Sequence, residues 1–447
     1  MNKKALVLAI GAALTIPYAY AQKGGGGKGG GEDDPDSVVV LYGKVYPEVV
    51  RQRGKNPTPA CTNSQTFNSP APPATATACR DAAGNNTTTP LATFAQPATG
   101  VSNIITRNEM ESSNSRFGVR GYEKLGSGWR ATWQLETQFL VDSNNTAFAA
   151  RDSWVGLNHH RFGTVKLGRF DTPFKEYGDD ISFLGVSSGN FVSTSSVLRL
   201  FGIGQASAAR FHERGVNAIQ YESPDLGPFE FKVQYNTAET DTAARHRHMW
   251  SVGGSYEWGN LKLMAGHEIH WDAFGLSANV GTAAMSNTGI ASARSKDQAS
   301  EIAVTYKLGI HDFEADYEWH QWKEFGQPTT TAPTALGRVA SYKNNSYLFN
   351  WQARWSPKFR TQIHYVHATA GECSRTFMIS AAPCITDGLD GKMVSVGAAY
   401  YFSRKTYLFF LWQQLKNGKS AVFASGSQSP STGEDVTQVA VGMHTSF

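Results

Sequence analysis

The segment HDFEADYEWHQW places Phe313, Ala315, Tyr317 and Trp319 on odd positions and Asp312, Glu314, Asp316, Glu318 and His320 on even ones. A helix would scatter those carboxylates around its circumference, whereas a strand, whose side chains alternate with period two, sets them all on one side. The alternation returns in EIAVTYKLG, with Ile302, Val304, Tyr306 and Leu308 against Glu301, Thr305 and Lys307. PFEFKVQYN sets Phe229, Phe231, Val233 and Tyr235 against Glu230, Lys232, Gln234 and Asn236, and SYLFNWQARWSP sets Phe349, Trp351, Ala353 and Trp355 against Asn350, Gln352 and Arg354. A chain built mostly from such segments makes sheets with one apolar and one polar face. What decides its nature is which face meets water.

Export narrows the answer. MNKKALVLAIGAALTIPYAYAQ carries two early lysines, an apolar run from Ala5 to Ile16 and the small-x-small site Ala19-Tyr20-Ala21, so residues 1–21 read as a signal peptide cleaved after Ala21. Residues 22–36, QKGGGGKGGGEDDPD, read as a flexible Gly-rich tail, and residues 37–447 as one β domain. Within that domain no apolar stretch is long enough for a spanning helix.

Alternating segments begin near Ser37, Ser113, Gly128, Arg151, Gly163, Gly215, Pro228, Met249, Leu261, Gln298, His311, Ser341, Lys358, Gly391, Lys405 and Asp435. That is about sixteen strands, each close to the ~9–11 residues that a tilted strand needs to cross hydrocarbon. Short connections such as LGSG, HRFG, EWGN and FSRK alternate with long ones such as Arg51 to Glu111, Asp171 to Arg214 and Asp272 to Asp297. Short turns on one rim and long loops on the other are the layout of a transmembrane antiparallel β-barrel with periplasmic turns and extracellular loops. A secreted lectin or adhesin would alternate too, but with its aromatics packed into a dry core. Here Trp258, Trp319, Trp351, Trp355 and Phe447 fall at the ends of the apolar register, as an interfacial girdle requires. Hydrophobic residues make up 40% of the chain and glycine numbers 44, yet mean hydropathy is −0.35, a mixture suited to many short strands and turns.

The segments SRFGVRGYEKLGSGWRATWQLETQF, RDSWVGLNHHRFGTVKLGRFDTPF and the terminal GMHTSF resemble the Gram-negative trimeric general porins, most densely from Ser115 to Asp171. The resemblance implies a sixteen-stranded barrel in a homotrimer, seated among outer-membrane lipid and lipopolysaccharide. The third long loop, Asp171 to Arg214, would fold into the lumen. It also implies that Phe447 ends a strand read by the barrel-assembly machinery and closes the barrel on the first strand. The expected function is passive diffusion of small hydrophilic solutes and ions, with no cofactor and no nucleic acid. Three features depart from the family pattern: the tail before Ser37, a first loop of about sixty residues, and the absence of a Pro-Glu-Phe-Gly turn from the third loop.

Register places Lys44, Arg116, Arg120, Arg130 and Lys166 on one inner arc of the first five strands. Arg169 has the parity of Val165 and Leu167 and would join the arc only if Gly168 bulges; its resemblance to the family's constriction arginine favours that. The acidic side is expected opposite, from Asp312, Glu314, Asp316 and Glu318, eight strands away, with Asp179 and Asp180 on the inner loop. The balance leans weakly towards anions. Cys61 with Cys79 and Cys373 with Cys384 form the simplest of three disulfide pairings in an exported chain.

Other chemistries fit poorly. Formal net charge is +4, too little to imply nucleic acid, and no phosphate-loop pattern is complete. His267 with His270, and His364 with His367, are three apart on strands and point to opposite faces, so neither pair can share a metal. His246 and His248 could share a face, on a loop. Ser195 and Ser196 lack an identifiable base. Two alternatives to a general pore stay open: a substrate-specific channel with Phe183, Phe191 and Phe201 along the inner loop, and a surface adhesin displaying the long first loop.

Overall fold

The computed structural model describes residues 35–59, 98–112, 115–142, 149, 151–178, 180–181, 211–237, 245–276, 291–326, 339–375, 384–425 and 427–447, and the backbone alone of 79–80, 86–87 and 146–147. Sixteen barrel strands run in chain order. Strand β1 is Ser37–Val45, continued after Tyr46 and Pro47 by Glu48–Lys55; β2 is Arg107–Glu111 continued by Arg116–Gly126. Then come β3 Trp129–Phe139, β4 Ser153–His159, β5 Gly163–Asp171, β6 Arg214–Glu222, β7 Phe229–Thr237 and β8 His248–Trp258. The second half is β9 Leu261–Trp271, β10 Arg294–Leu308, β11 His311–Phe325, β12 Val339–Ser356, β13 Phe359–Ala368, β14 Gly391–Tyr401, β15 Thr406–Asn417 and β16 Asp435–Ser446. A short helix α1, Pro173–Tyr177, follows β5.

Each strand pairs antiparallel with its sequence neighbours, and β1 pairs with β16 to close the ring. At the seam Lys44 faces Ser446 and Val45 faces Thr445; beyond Pro47, Glu48 faces Gly442 and Lys55 faces Asp435. Closure leaves no sheet edge, so the ladder groups of every strand find partners without water. No described helix is long and apolar enough to cross a membrane.

Burial along the strands is inverted relative to a water-soluble protein. The apolar register is exposed: Leu135, Val155, Leu167, Ile219, Val252, Leu263, Ile302, Phe349, Phe410 and Val441 all lie open on the outer face. The polar register is buried, with Gln234, Glu268, Glu314, Asn350 and Gln413 at 1% exposure or less. A dry-cored sandwich would show the reverse, which removes the soluble rival. Exposed Trp129, Phe162, Phe229, Trp258, Trp355, Phe359, Tyr400 and Phe402 flank the short turns and form an aromatic rim.

The last residue sits on the seam. Phe447 exchanges backbone bonds with Gly43, donating at 3.1 Å and accepting at 3.3 Å, and its ring lies against that glycine. A Cβ on Gly43 would stand 2.5 Å from Phe447 Cζ and 2.6 Å from the Arg116 carbonyl oxygen. Gly43→Leu is therefore expected to cut the yield of heat-modifiable folded barrel on refolding into detergent by more than half. Wild-type yield would show that the seam does not need this close approach.

Candidate functional site

The inner wall of β1 to β5 carries the cations, and four of them lie on aromatic rings. Lys44 Nζ is 5.3 Å from the Tyr46 ring centre, the Arg120 guanidinium 5.0 Å from Tyr42, that of Arg130 4.9 Å from Tyr122, and Lys166 Nζ 4.4 Å from Trp154. Such contacts contribute about 0.5–1 kcal/mol each at accessible sites and hold long side chains flat against the wall. Arg116 lies 3.6 Å from Glu136, which also pairs with Arg151 and accepts from the Tyr42 hydroxyl at 3.0 Å. Lys166 pairs with Glu222 on β6. Five of the six expected basic residues thus share one face of neighbouring strands, although Lys44 is only 8% exposed and is held beneath the surface of the arc. Arg151, which the alternation put at the start of a strand, lies two residues before β4 and belongs with them through Glu136.

Arg169 departs from the arc. The irregularity beside it exists: Gly168 has φ +148°, the β5–β6 register slips between Gly168 and Phe170, and Asn217 across the gap has φ +51°. Arg169 nevertheless borders an open cavity of about 760 Å³ together with Leu167, Val216 and Ile219, all exposed members of the outer register. Among the described residues no ion pair ties it to the basic group. The slip is absorbed by the additional β6 residues Val216 and Asn217, and Arg169 stays in the company of the outer face.

Opposite, the described ends of the third loop lie on the inner faces of β7 to β13. Thr172 caps α1, accepting from the Lys175 amide at 3.3 Å, and Pro173 starts it. The Phe174 amide donates to Ser251 Oγ on β8 at 3.0 Å, and Lys232 on β7 pairs with Glu176. The helix can approach because β8 presents Gly253, where a Cβ would meet Tyr177 Cδ2 at 2.5 Å. Further on, the backbone amides of Asp180 and Ile181 donate to Glu314 at 2.7 and 3.0 Å, and Asn350 and Gln362 donate to the Ile181 carbonyl. Lys262 reaches Asp180 at 2.7 Å. At the returning end His212 pairs with Glu318.

This arrangement corrects the expected acidic wall. Glu314, Asp316 and Glu318 do face inward, but at 1%, 7% and 1% exposure they are covered rather than bathed by the water column. Glu314 and Glu318 spend their charge on loop amides and an imidazole, because a carboxylate is the strongest acceptor an inner wall can offer to unpaired backbone donors. Asp312, bonded by Gln352 at 2.6 Å, remains half-buried. Asp179, Phe183, Phe191, Phe201, Ser195 and Ser196 lie outside the described residues, as does Cys61, with only the backbone of Cys79 inside them. Cys373 and Cys384 are joined as a disulfide.

Glu314→Ala would leave two buried amides without an acceptor, at a cost of about 1.5–3 kcal/mol. Hydrogen exchange of the Asp180 and Ile181 amides is expected to quicken about ten- to a hundred-fold. Unchanged exchange would mean that the loop is held by other contacts.

A family profile described as Gram-negative porin matches residues 8–420. The major outer membrane protein P.IB of Neisseria gonorrhoeae is 32% identical over 157 residues, 35% of this chain and 41% of that protein, so less than half of this relative's length is matched. The P.IB protein of Neisseria lactamica is 24% identical over 323 residues, 72% of this chain and 82% of its own. In fold, a solved structure described as an anion-selective porin from Comamonas acidovorans superposes with a TM-score of 0.62 at 20% identity, covering 92% of this chain and all of that one.

Proposed function

Because this chain belongs to the Gram-negative porin family, we propose that it forms a water-filled channel through which small hydrophilic solutes and ions diffuse passively, with a weak preference for anions. The protein resides in the outer membrane. The reading is of transport down a gradient with no bond chemistry, by three copies of the chain assembled as its porin resemblance implies. The observation that carries it is the closed ring with an apolar exterior and a charged interior, against which the described ends of the third loop lie.

The anion preference rests on asymmetry of access. Arg116, Arg120, Arg130 and Lys166 remain partly open on one arc, while Glu314 and Glu318 opposite are covered by the loop ends. A fixed charge ~8 Å from a passing ion in water contributes about 0.5 kcal/mol, so four contribute at most about 2 kcal/mol before salt screens them, and less because Glu136 offsets Arg116 and Glu222 offsets Lys166. The result is a bias among ions, not an absolute filter.

In planar bilayers under a KCl gradient, Arg116→Glu with Arg120→Glu is expected to move the anion-to-cation permeability ratio towards cations on the order of ten-fold. The double glutamine variant is expected to move it about half as far on a logarithmic scale. A reversal potential that does not change in either removes these arginines from the selectivity determinants. Saturable block by one solute family would instead identify a substrate-specific channel, and absence of current would favour the adhesin.

A further inference from the structure

Where the third loop rejoins the wall, three residues remote in sequence converge. His212 lies two residues before β6, and Glu301 on β10 stands directly opposite Glu318 on β11 in the ladder. Their donor atoms lie within 4.8 Å of one another, and all three side chains are at least 98% buried. His212 Nε2 bonds one Glu318 oxygen and is 3.8 Å from Glu301 Oε2.

Glu301 is the anomaly. Among the described residues neither of its carboxylate oxygens meets an N–H or hydroxyl donor, and the carboxyl group it lies beside is that of Glu318. Among the described residues its one ion-pair contact is the distant His212 imidazole. Like charges placed opposite each other on adjacent strands are destabilising even at a surface, and burial removes the water that would screen them. Further negative groups, Glu268 and Asp316, lie nearby and are also buried. Yet the fold makes room for the carboxylate. A Cβ on Gly178, just after α1, would stand 2.3 Å from Glu301 Oε2, and one on Gly266 of β9 would stand 2.4 Å from Oε1. Phe174 packs edge-on against His212 at 5.0 Å, with Phe211 beside it, closing the chamber with apolar rings.

We propose that His212, Glu301 and Glu318 bind one divalent transition-metal ion of the Zn²⁺ class, which clasps the returning end of the inner loop to the barrel wall. An imidazole with two carboxylates suits Zn²⁺ better than the all-oxygen sets of Ca²⁺ or Mg²⁺. Donors around a tetrahedral zinc at 2.0–2.1 Å lie about 3.4 Å apart, so small side-chain rotations complete the set, with a fourth position left for water. His320 Nε2 lies 2.9 Å from the second Glu318 oxygen, within ion-pair reach of that ligand. None of this depends on which solute crosses the pore.

The test uses the full mature chain, folded in detergent, stripped with a chelator and re-equilibrated with Zn²⁺ alone. Metal per chain is measured by mass spectrometry after gel filtration, and affinity by calorimetry. About one tightly held Zn²⁺ per chain is expected, retained when the two histidines at the start of β8 are removed by His246→Ala with His248→Ala. At least a ten-fold loss of affinity is expected in Glu301→Gln and in His212→Gln, the latter altering no strand. A wild-type protein that retains no ion overturns the proposal, and is the result if a shared proton joins Glu301 to Glu318. So does uptake that disappears with His246 and His248, or that persists undiminished in folded Glu301→Gln or His212→Gln. If Glu301→Gln fails to fold, His212→Gln and the His246→Ala with His248→Ala variant decide.

Discussion

Hydrocarbon offers no partner to a peptide N–H or C=O, and from that constraint the rest of this protein follows. Sixteen strands satisfy it by closing, β1 onto β16, so that no ladder is left open. Once the ring is closed, the period-two pleat assigns every strand residue to lipid or lumen. The exposed Leu, Val and Phe of the outer register and the buried Gln and Glu of the inner one are two expressions of the same geometry. The seam shows how tightly this holds: Gly43 is there because the Phe447 ring and the Arg116 carbonyl occupy the space a side chain would need.

Closure also creates an interior that the chain must partly fill. The third loop enters it, and its backbone carries polar groups that need partners inside the barrel. The far wall supplies them. Glu314 accepts the Asp180 and Ile181 amides, Asn350 and Gln362 donate to the Ile181 carbonyl, and Ser251 receives the start of α1. Carboxylates thus become fasteners, while on the near wall Arg116, Arg120 and Arg130 stay half-buried rather than covered. Glu301, without a donor among the described residues, lies where that fastening passes from backbone amides to side chains.

Much of this was legible before folding was considered. The starts read at His311, Leu261, Gly163 and Gly391 coincide with those of β11, β9, β5 and β14. Strand β10 opens earlier than expected, at Arg294 rather than Gln298, because its hydrogen bonding to β11 continues to Phe325, well past the apolar alternation. Parity set Lys44, Arg116, Arg120, Arg130 and Lys166 on one face of the first five strands. It misled at Arg169, where a bulge was foreseen but the strand that absorbs it was not. And it could not tell an inner carboxylate facing water from one facing a loop, since both have the same neighbours along the chain.

What the amino-acid order determined by itself is everything that depends on spacing of two: strand existence, strand faces, turn positions, and the apolar exterior that commits the chain to a bilayer. The inner site was decided only in three dimensions. The ion pairs and backbone bonds of Glu314, Glu318, His212 and Glu301 join residues about ninety to 135 positions apart. Such contacts leave no periodic trace, because what sets them is where a closed ring directs an entering loop.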